Sequence, residues 1–167
     1  FRKLSDSDDT YNYLTTSPAA DNAATLCSEP TLQASNIVFG AVTTNSIELS
    51  WQTGGGEARI VVVRSTNAIA TLPSDQTAYA ANATFGSGDQ VGSIGQYVVY
   101  NGTGETATVT GLAPGVDYHF RIFDYIGSGA AANYITNTAN NNPRSTRTSS
   151  IGLIEDMFED GEANLAA

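Results

Sequence analysis

The chain has 167 residues, of which 41% are hydrophobic and only 14% charged, with a formal net charge of −10. That length holds one ordinary domain with or without flanking segments. So acidic a surface repels phosphate backbones, which excludes nucleic acid as a partner class and disfavours anionic membranes. The missing charge is replaced by Thr, Ser, Asn, Gly and Ala, residues of strands and turns rather than of helices.

Residues 1–30 have little pattern. An acidic patch (Asp6, Asp8, Asp9) precedes Tyr11-Asn12-Tyr13-Leu14-Thr15-Thr16, then Ser17-Pro18 and small residues up to Glu29-Pro30. The chain starts at Phe1, and Phe1-Arg2-Lys3-Leu4 is no signal peptide, so a mature product or a fragment of a longer chain is expected. Cys27 is the only cysteine. It is either a free thiol or pairs outside this sequence.

From Thr31 the pattern becomes strand-like. Ile37-Val38-Phe39 is the first predicted strand and Asn45 the first turn. Ser46 to Trp51 alternates, placing Ile47, Leu49 and Trp51 on one face. Gly54-Gly55-Gly56 breaks that strand. Ala58 to Arg64 is an apolar, β-branched run of the kind a central strand needs when both faces are covered. Residues 65–95 are rich in Ala, Ser and Gly and read as a long connection with short strands at most.

Gln96 to Tyr100 is the next strand, closed by the hairpin signal Asn101-Gly102, with Thr106 to Thr110 following. Tyr118 to Phe123 alternates, Gly127-Ser128-Gly129 turns the chain, and Asn133 to Thr136 is the last predicted strand. Residues 137–150 are polar. Glu155 to Leu165 allows at most a helical turn or two, limited by Gly161. No stretch approaches about 18 apolar residues, so no membrane-spanning helix is expected.

Some seven short strands at this spacing predict an all-β, seven-stranded antiparallel sandwich. Its expected interior is Ile47, Leu49, Trp51, Ile60, Val62, Val99, Val109, Leu112, Tyr118, Phe120 and Ile122.

Two segments carry a resemblance. One is the strand Ile47-Glu48-Leu49-Ser50-Trp51. The other is Thr110-Gly111-Leu112-Ala113-Pro114-Gly115-Val116-Asp117-Tyr118-His119-Phe120-Arg121-Ile122. Together they resemble the fibronectin type III signature, in which a Leu-x-Pro-Gly-x-x-Tyr segment crosses from one sheet to the other. The resemblance implies an immunoglobulin-like sandwich over 31–148. In it Leu112 plugs the core, Pro114-Gly115 turn the chain, and Tyr118 forms a tyrosine corner with its hydroxyl on nearby backbone. The long 65–95 segment and the lack of a tyrosine in the third strand depart from the family. The sequence also resembles the variant found in large secreted proteins of Bacteroidetes-type bacteria, where such modules sit beside enzymes and adhesive domains.

An internal echo points further. Asn12-Tyr13-Leu14-Thr15-Thr16 is similar to Asn133-Tyr134-Ile135-Thr136-Asn137, 121 residues later. Residues 1–30 are thus expected to be an N-terminal extension like the last strand of a preceding copy, 31–148 the sandwich, and 149–167 an acidic linker or the start of a next domain. Tyr11, Asn12, Tyr13, Leu14 and Thr15 form a candidate donated strand, since an unpaired sheet edge offers free N–H and C=O groups.

Chemistry is sparse. His119, the single histidine, lies mid-strand and is expected to face solvent or a sheet neighbour rather than join a triad. One histidine and one cysteine do not make a zinc site. Asp6-Ser7-Asp8-Asp9 lacks the spacing of a calcium loop, and Gly54-Gly55-Gly56 lacks the rest of a phosphate loop. No catalytic residue, metal or cofactor is expected. Asn82-Ala83-Thr84 and Asn101-Gly102-Thr103 are glycosylation sequons, at Asn82 and Asn101.

The expectation is a non-enzymatic structural or adhesive module at the cell surface or outside the cell. Its partners would be copies of itself or adjacent domains of a longer chain, with glycan as a further candidate. The alternative is a spacer or carbohydrate-associated module of a larger secreted hydrolase, supported by the resemblance of Met157-Phe158-Glu159-Asp160-Gly161 to a jelly-roll opening.

Overall fold

The computed structural model describes residues 25–152. Alternation sets the first sheet. Ile47, Leu49 and Trp51 of β2 (Ile47–Gln52) point inward while Glu48 and Gln52 face solvent. β2 lies between β1 (Ser35–Val42) and β5 (Thr106–Val109), antiparallel to both, giving the order β1-β2-β5.

The second sheet is built on β3 (Ala58–Ser65) and β6 (Asp117–Ile126), antiparallel over eight paired positions from Ala58 opposite Tyr125 to Ser65 opposite Tyr118. β4 (Gln96–Gly102) flanks β3, while β7 (Asn133–Tyr134) and β8 (Arg144–Arg147) flank β6. The two sheets enclose Ala34, Ile37, Ile47, Leu49, Trp51, Val61, Val63, Val99, Val109, Leu112, Tyr118, Phe120 and Ile122. The architecture is an antiparallel two-sheet sandwich, as the strand spacing predicts.

The last edge differs from expectation. Its predicted strand at Asn133 to Thr136 shortens to β7, and the polar stretch after it contains β8. From Tyr134 opposite Tyr125 to Arg144 opposite Phe120, this edge advances ten residues while β6 moves five. β7 and β8 are one edge strand interrupted by a bulge, and counted so the sandwich has seven strands. Within the bulge, buried Asn142 replaces a strand partner. Its Oδ1 accepts from the Ile122 N–H (3.0 Å), and its Nδ2 donates to the carbonyls of Ile122 (2.9 Å) and Ala34 (2.8 Å).

Two expected core residues are corrected. Ile60 and Val62 are buried but lie on the outer face of the second sheet, while Val61 and Val63 point into the sandwich. A central strand covered on both sides has no polar face to reveal its register. The outer cover is residues 66–95. Tyr79 and Val91 from this segment pack with Ile60, Val62, Val98, Phe123, Ala132 and Tyr134 in a second core. Gln96 pins the cover. Its buried amide accepts from the Ala70 and Thr71 N–H groups and donates to the carbonyls of Thr71 and Val91.

The same segment closes one side of the sandwich. The Val98 N–H donates to the Asp89 carbonyl and the Asn82 N–H to the Val98 carbonyl, while Ala83 and Phe85 pair with the backbone of Thr110. Phe85 sits edge-on to Tyr97 and Tyr118, with centroids 5.2 and 5.3 Å away. On the opposite side, the Asn36 N–H donates to the Asn140 carbonyl, Arg144 Nη1 to the Ile37 carbonyl, and the Ser149 N–H to the Thr43 carbonyl.

Candidate functional site

Each end of β6 carries a group of polar side chains with specific partners. At its start lies the corner. Buried Tyr118 accepts from the Ala113 N–H through its hydroxyl (2.9 Å), Leu112 is buried beneath, and Gly115 turns the chain at φ +68°. Pro114 stays exposed on the turn. The departing chain is tied to this corner. Thr148 Oγ1 donates to the Ala113 carbonyl (2.6 Å) and the Gly115 N–H donates to the Ser149 carbonyl (3.1 Å). Trp51 lies deeper in the sandwich, edge-on to Tyr100 at 5.3 Å.

The fold is fibronectin type III-like. Three strands face the β4-β3-β6 sheet with its interrupted edge, and a tyrosine corner joins them. No protein-family model matches this chain, and no curated protein matches it. Among solved structures, it is similar to the fibronectin type III domain of human fibronectin type III domain containing protein 3. The identity is 15% over 77% of this chain and 94% of that one, with a TM-score of 0.44. The FN5 domain of Drosophila Lar is 10% identical over 73% of this chain and 96% of its own, with a TM-score of 0.40. An FN3 domain of human collagen XX is 20% identical over 71% of this chain and all of its own (100%), with a TM-score of 0.35. At these scores the likeness carries no argument, and the fold rests on strand order and register.

At the other end of β6 the incoming chain docks. The Cys27 N–H donates to the Ala131 carbonyl (3.1 Å) and Asn133 Nδ2 donates to the Cys27 carbonyl (2.7 Å). Gly127 is required here: at φ +84°, a Cβ would stand 2.7 Å from Cys27 Sγ. The Gly55 N–H donates to the Leu32 carbonyl (2.8 Å). Buried Gln33 then completes β6. Its Oε1 accepts from the N–H groups of Asp124 (2.9 Å) and Ala34 (3.0 Å), and its Nε2 donates to the carbonyls of Ile135 (2.8 Å) and Asn137 (3.2 Å). Nothing in the sequence marks Gln33 for this role, because all its partners but the adjacent Ala34 lie 91 to 104 positions away.

Beside it runs a buried ion pair. Arg59 Nε donates to Asp124 Oδ1 at 2.8 Å, with both residues almost fully enclosed. Arg59 Nη1 also donates to the carbonyls of Thr103 (2.6 Å) and Gly104 (3.1 Å). Burial pushes the Asp124 carboxyl above the ordinary carboxylate range, against the pull of Arg59. Gly54 packs so closely on Asp124 Oδ2 and the Leu32 carbonyl that no side chain fits.

The remaining candidates are scattered. His119 is half-buried, opposite Arg64 on one side and Ser145 on the other. Among the described residues, no three His, Cys, Asp or Glu side chains group as metal ligands. A shallow depression of about 500 Å³ on the outer face of the first sheet is lined by Gly40, Glu48, Ser50, Thr106 and Thr108 among others. Asn82 is exposed, with its Oδ1 accepting from the Thr84 N–H. Asn101 is engaged through both amide atoms, with Tyr79 and Tyr125. The candidate donated strand, Tyr11 to Thr15, lies outside the described residues, as does the Asp6 to Asp9 patch.

Proposed function

We propose that this chain is a non-enzymatic extracellular module that works end to end with copies of itself, the N-terminal segment giving a strand to the neighbouring copy. One observation carries the reading. The chain docks at the Ile126 end of β6 through Cys27 and leaves at the Asp117 end through Ser149. Ten strand residues separate these points, about 30 Å of rise. A module entered at one pole and left at the other transmits position and load along its strands.

The sides favour the same use. The 66–95 segment covers the β4 edge, and residues 140–149 cover part of the β1 edge. Covered edges resist strand addition, so a donated strand is directed to the outer edge of β5, which among the described residues pairs only with β2. Acid–base catalysis needs paired, positioned groups. The depression on the first sheet instead sets the single carboxylate of Glu48 among hydroxyls.

The test is sedimentation and electron microscopy of the 167-residue chain beside a version lacking residues 1–24. The full chain is expected to form end-to-end oligomers, and the shortened chain to stay monomeric. A full chain that is monomeric at every concentration overturns the reading. A spacer in a larger secreted hydrolase, of the kind found in Bacteroidetes-type bacteria, is the second reading, favoured by the Met157 to Gly161 segment.

A further inference from the structure

We infer that copies joined end to end abut without a free linker, the stretch from Cys27 to Gln33 being held at once by the copy it leaves and the copy it enters. This rests on the end-to-end reading above. The frame comes from the echo. Asn133 and Tyr134 are both buried with specific partners: Asn133 on the Cys27 carbonyl, and Tyr134 donating to the Thr77 carbonyl while its ring packs on Tyr79 and Tyr125. An Asn-Tyr pair is therefore the part of the edge strand with the most exacting contacts. The same 121-residue offset also sets Thr25 on Thr146, a further identity.

Carried two residues on, the offset sets Cys27 on Thr148 and Ser28 on Ser149. Those two close the exit pole. The Thr148 N–H donates to the Val116 carbonyl, the Ser149 N–H donates to the Thr43 carbonyl, and the Ser149 carbonyl accepts from the Gly115 N–H. These are backbone bonds, which any residue other than proline can make, while the Thr148 Oγ1 bonds with Ala113 and Val116 pass to the weaker thiol of Cys27. In this copy the Ser28 N–H and carbonyl make no hydrogen bond among the described residues, so they are free for those roles in the copy before. Cys27 is claimed twice: its N–H must be shared or released, and its side chain, which packs on Gly127 here, also stands in the place of buried Thr148. Among the described residues Cys27 is also the first bonded into the present module, and Gln33 is buried in it. The last anchor of one copy is thus the first anchor of the next.

The surface agrees. Leu26, just before this docked segment, and Leu32, within it, have 37% and 62% of their surface exposed, apolar area that a neighbour's exit pole would cover. The occupant is a second copy, because chain continuity delivers its exit pole to this place.

The test duplicates residues 27–147 in series within the full chain, so that Cys27 follows Arg147. NMR relaxation and small-angle scattering then report whether the two copies move together. The expected result is two folded copies tumbling as one rod, split into independent units by a short glycine insertion between Arg147 and that Cys27. Two folded copies that tumble independently without the insertion overturn the abutment and leave the end-to-end reading standing. A rod indifferent to the insertion also overturns it. An upstream copy that fails to fold overturns the 121-residue frame, and the end-to-end reading with it.

Discussion

Arg59 and Asp124 show how a buried ion pair constrains this core. Arg59→Met strands the Asp124 carboxylate in a closed site, which is expected to cost about 3–5 kcal/mol near pH 7. Burial already raises the Asp124 pKa, so the stability linked to this group is fullest below about pH 4 and falls as pH rises through the folded value. The Arg59→Met penalty should therefore shrink on acidification, as urea unfolding near pH 7 and near pH 4 would show. An equal loss at both values would trace the cost to the Thr103 and Gly104 bonds instead of to charge. Tyr134 works in the opposite pH range. Burial first, then Tyr125, Tyr79 and Asp75, push its phenol above the ordinary tyrosine value. Its contribution is complete below about pH 10, the unfolded value, and is lost as pH rises beyond it. Tyr134→Phe should lose about 1 kcal/mol at neutral pH with the Thr77 bond. It should also soften the alkaline loss, measured by denaturation alongside tyrosinate absorbance.

Along the strands, what the sequence discloses depends on the range of the interaction. β2 declares itself because Ile47, Leu49 and Trp51 alternate with polar neighbours, and the corner does so because Tyr118 and Ala113 are five residues apart. β3 discloses that it is central but not which face is which, since five successive residues from Arg59 to Val63 are buried. β8 is silent, because Arg144-Ser145-Thr146-Arg147 is a largely exposed edge with no apolar face to pattern. The 66–95 cover is legible only as a connection, for its apolar contacts are single residues such as Tyr79 and Val91, set twelve apart without period. Asn142 is the sharpest case of a long-range partner, reaching 108 residues back to Ala34. Asn142→Ala should leave the Ile122 N–H and two buried carbonyls unsatisfied, at about 1–3 kcal/mol for each group that water cannot reach. Hydrogen exchange at the Ile122 amide reads this directly. It should accelerate more than exchange at Val63, whose strand partners are unchanged. If Ile122 exchanges as before, the bulge has supplied another acceptor.

For the whole molecule, the same bonds set where the folded unit begins. Both cores lie within the described residues, so a chain starting at Thr25 should unfold at the same urea midpoint as the full protein when both are dilute enough to be monomeric. A chain starting at Ala34 loses Cys27, Leu32 and Gln33. The Gln33 amide alone serves two N–H groups and two carbonyls, including the Asp124 N–H on the central strand β6. Its loss is expected to cost about 2–4 kcal/mol, a large fraction of the stability of an ordinary domain. Gln33→Ala in the full chain separates the amide from the docking of the preceding residues, and should account for most of the difference between the two truncations. An unaffected Gln33→Ala variant would mean that β6 is held by its apolar neighbours alone. If the loss appears, the chain ahead of the first strand is a stabilising part of the sheet. In a series of copies, the stability of each module would then depend on the segment that joins it to the one before, so pulling on that segment would strain β6 directly.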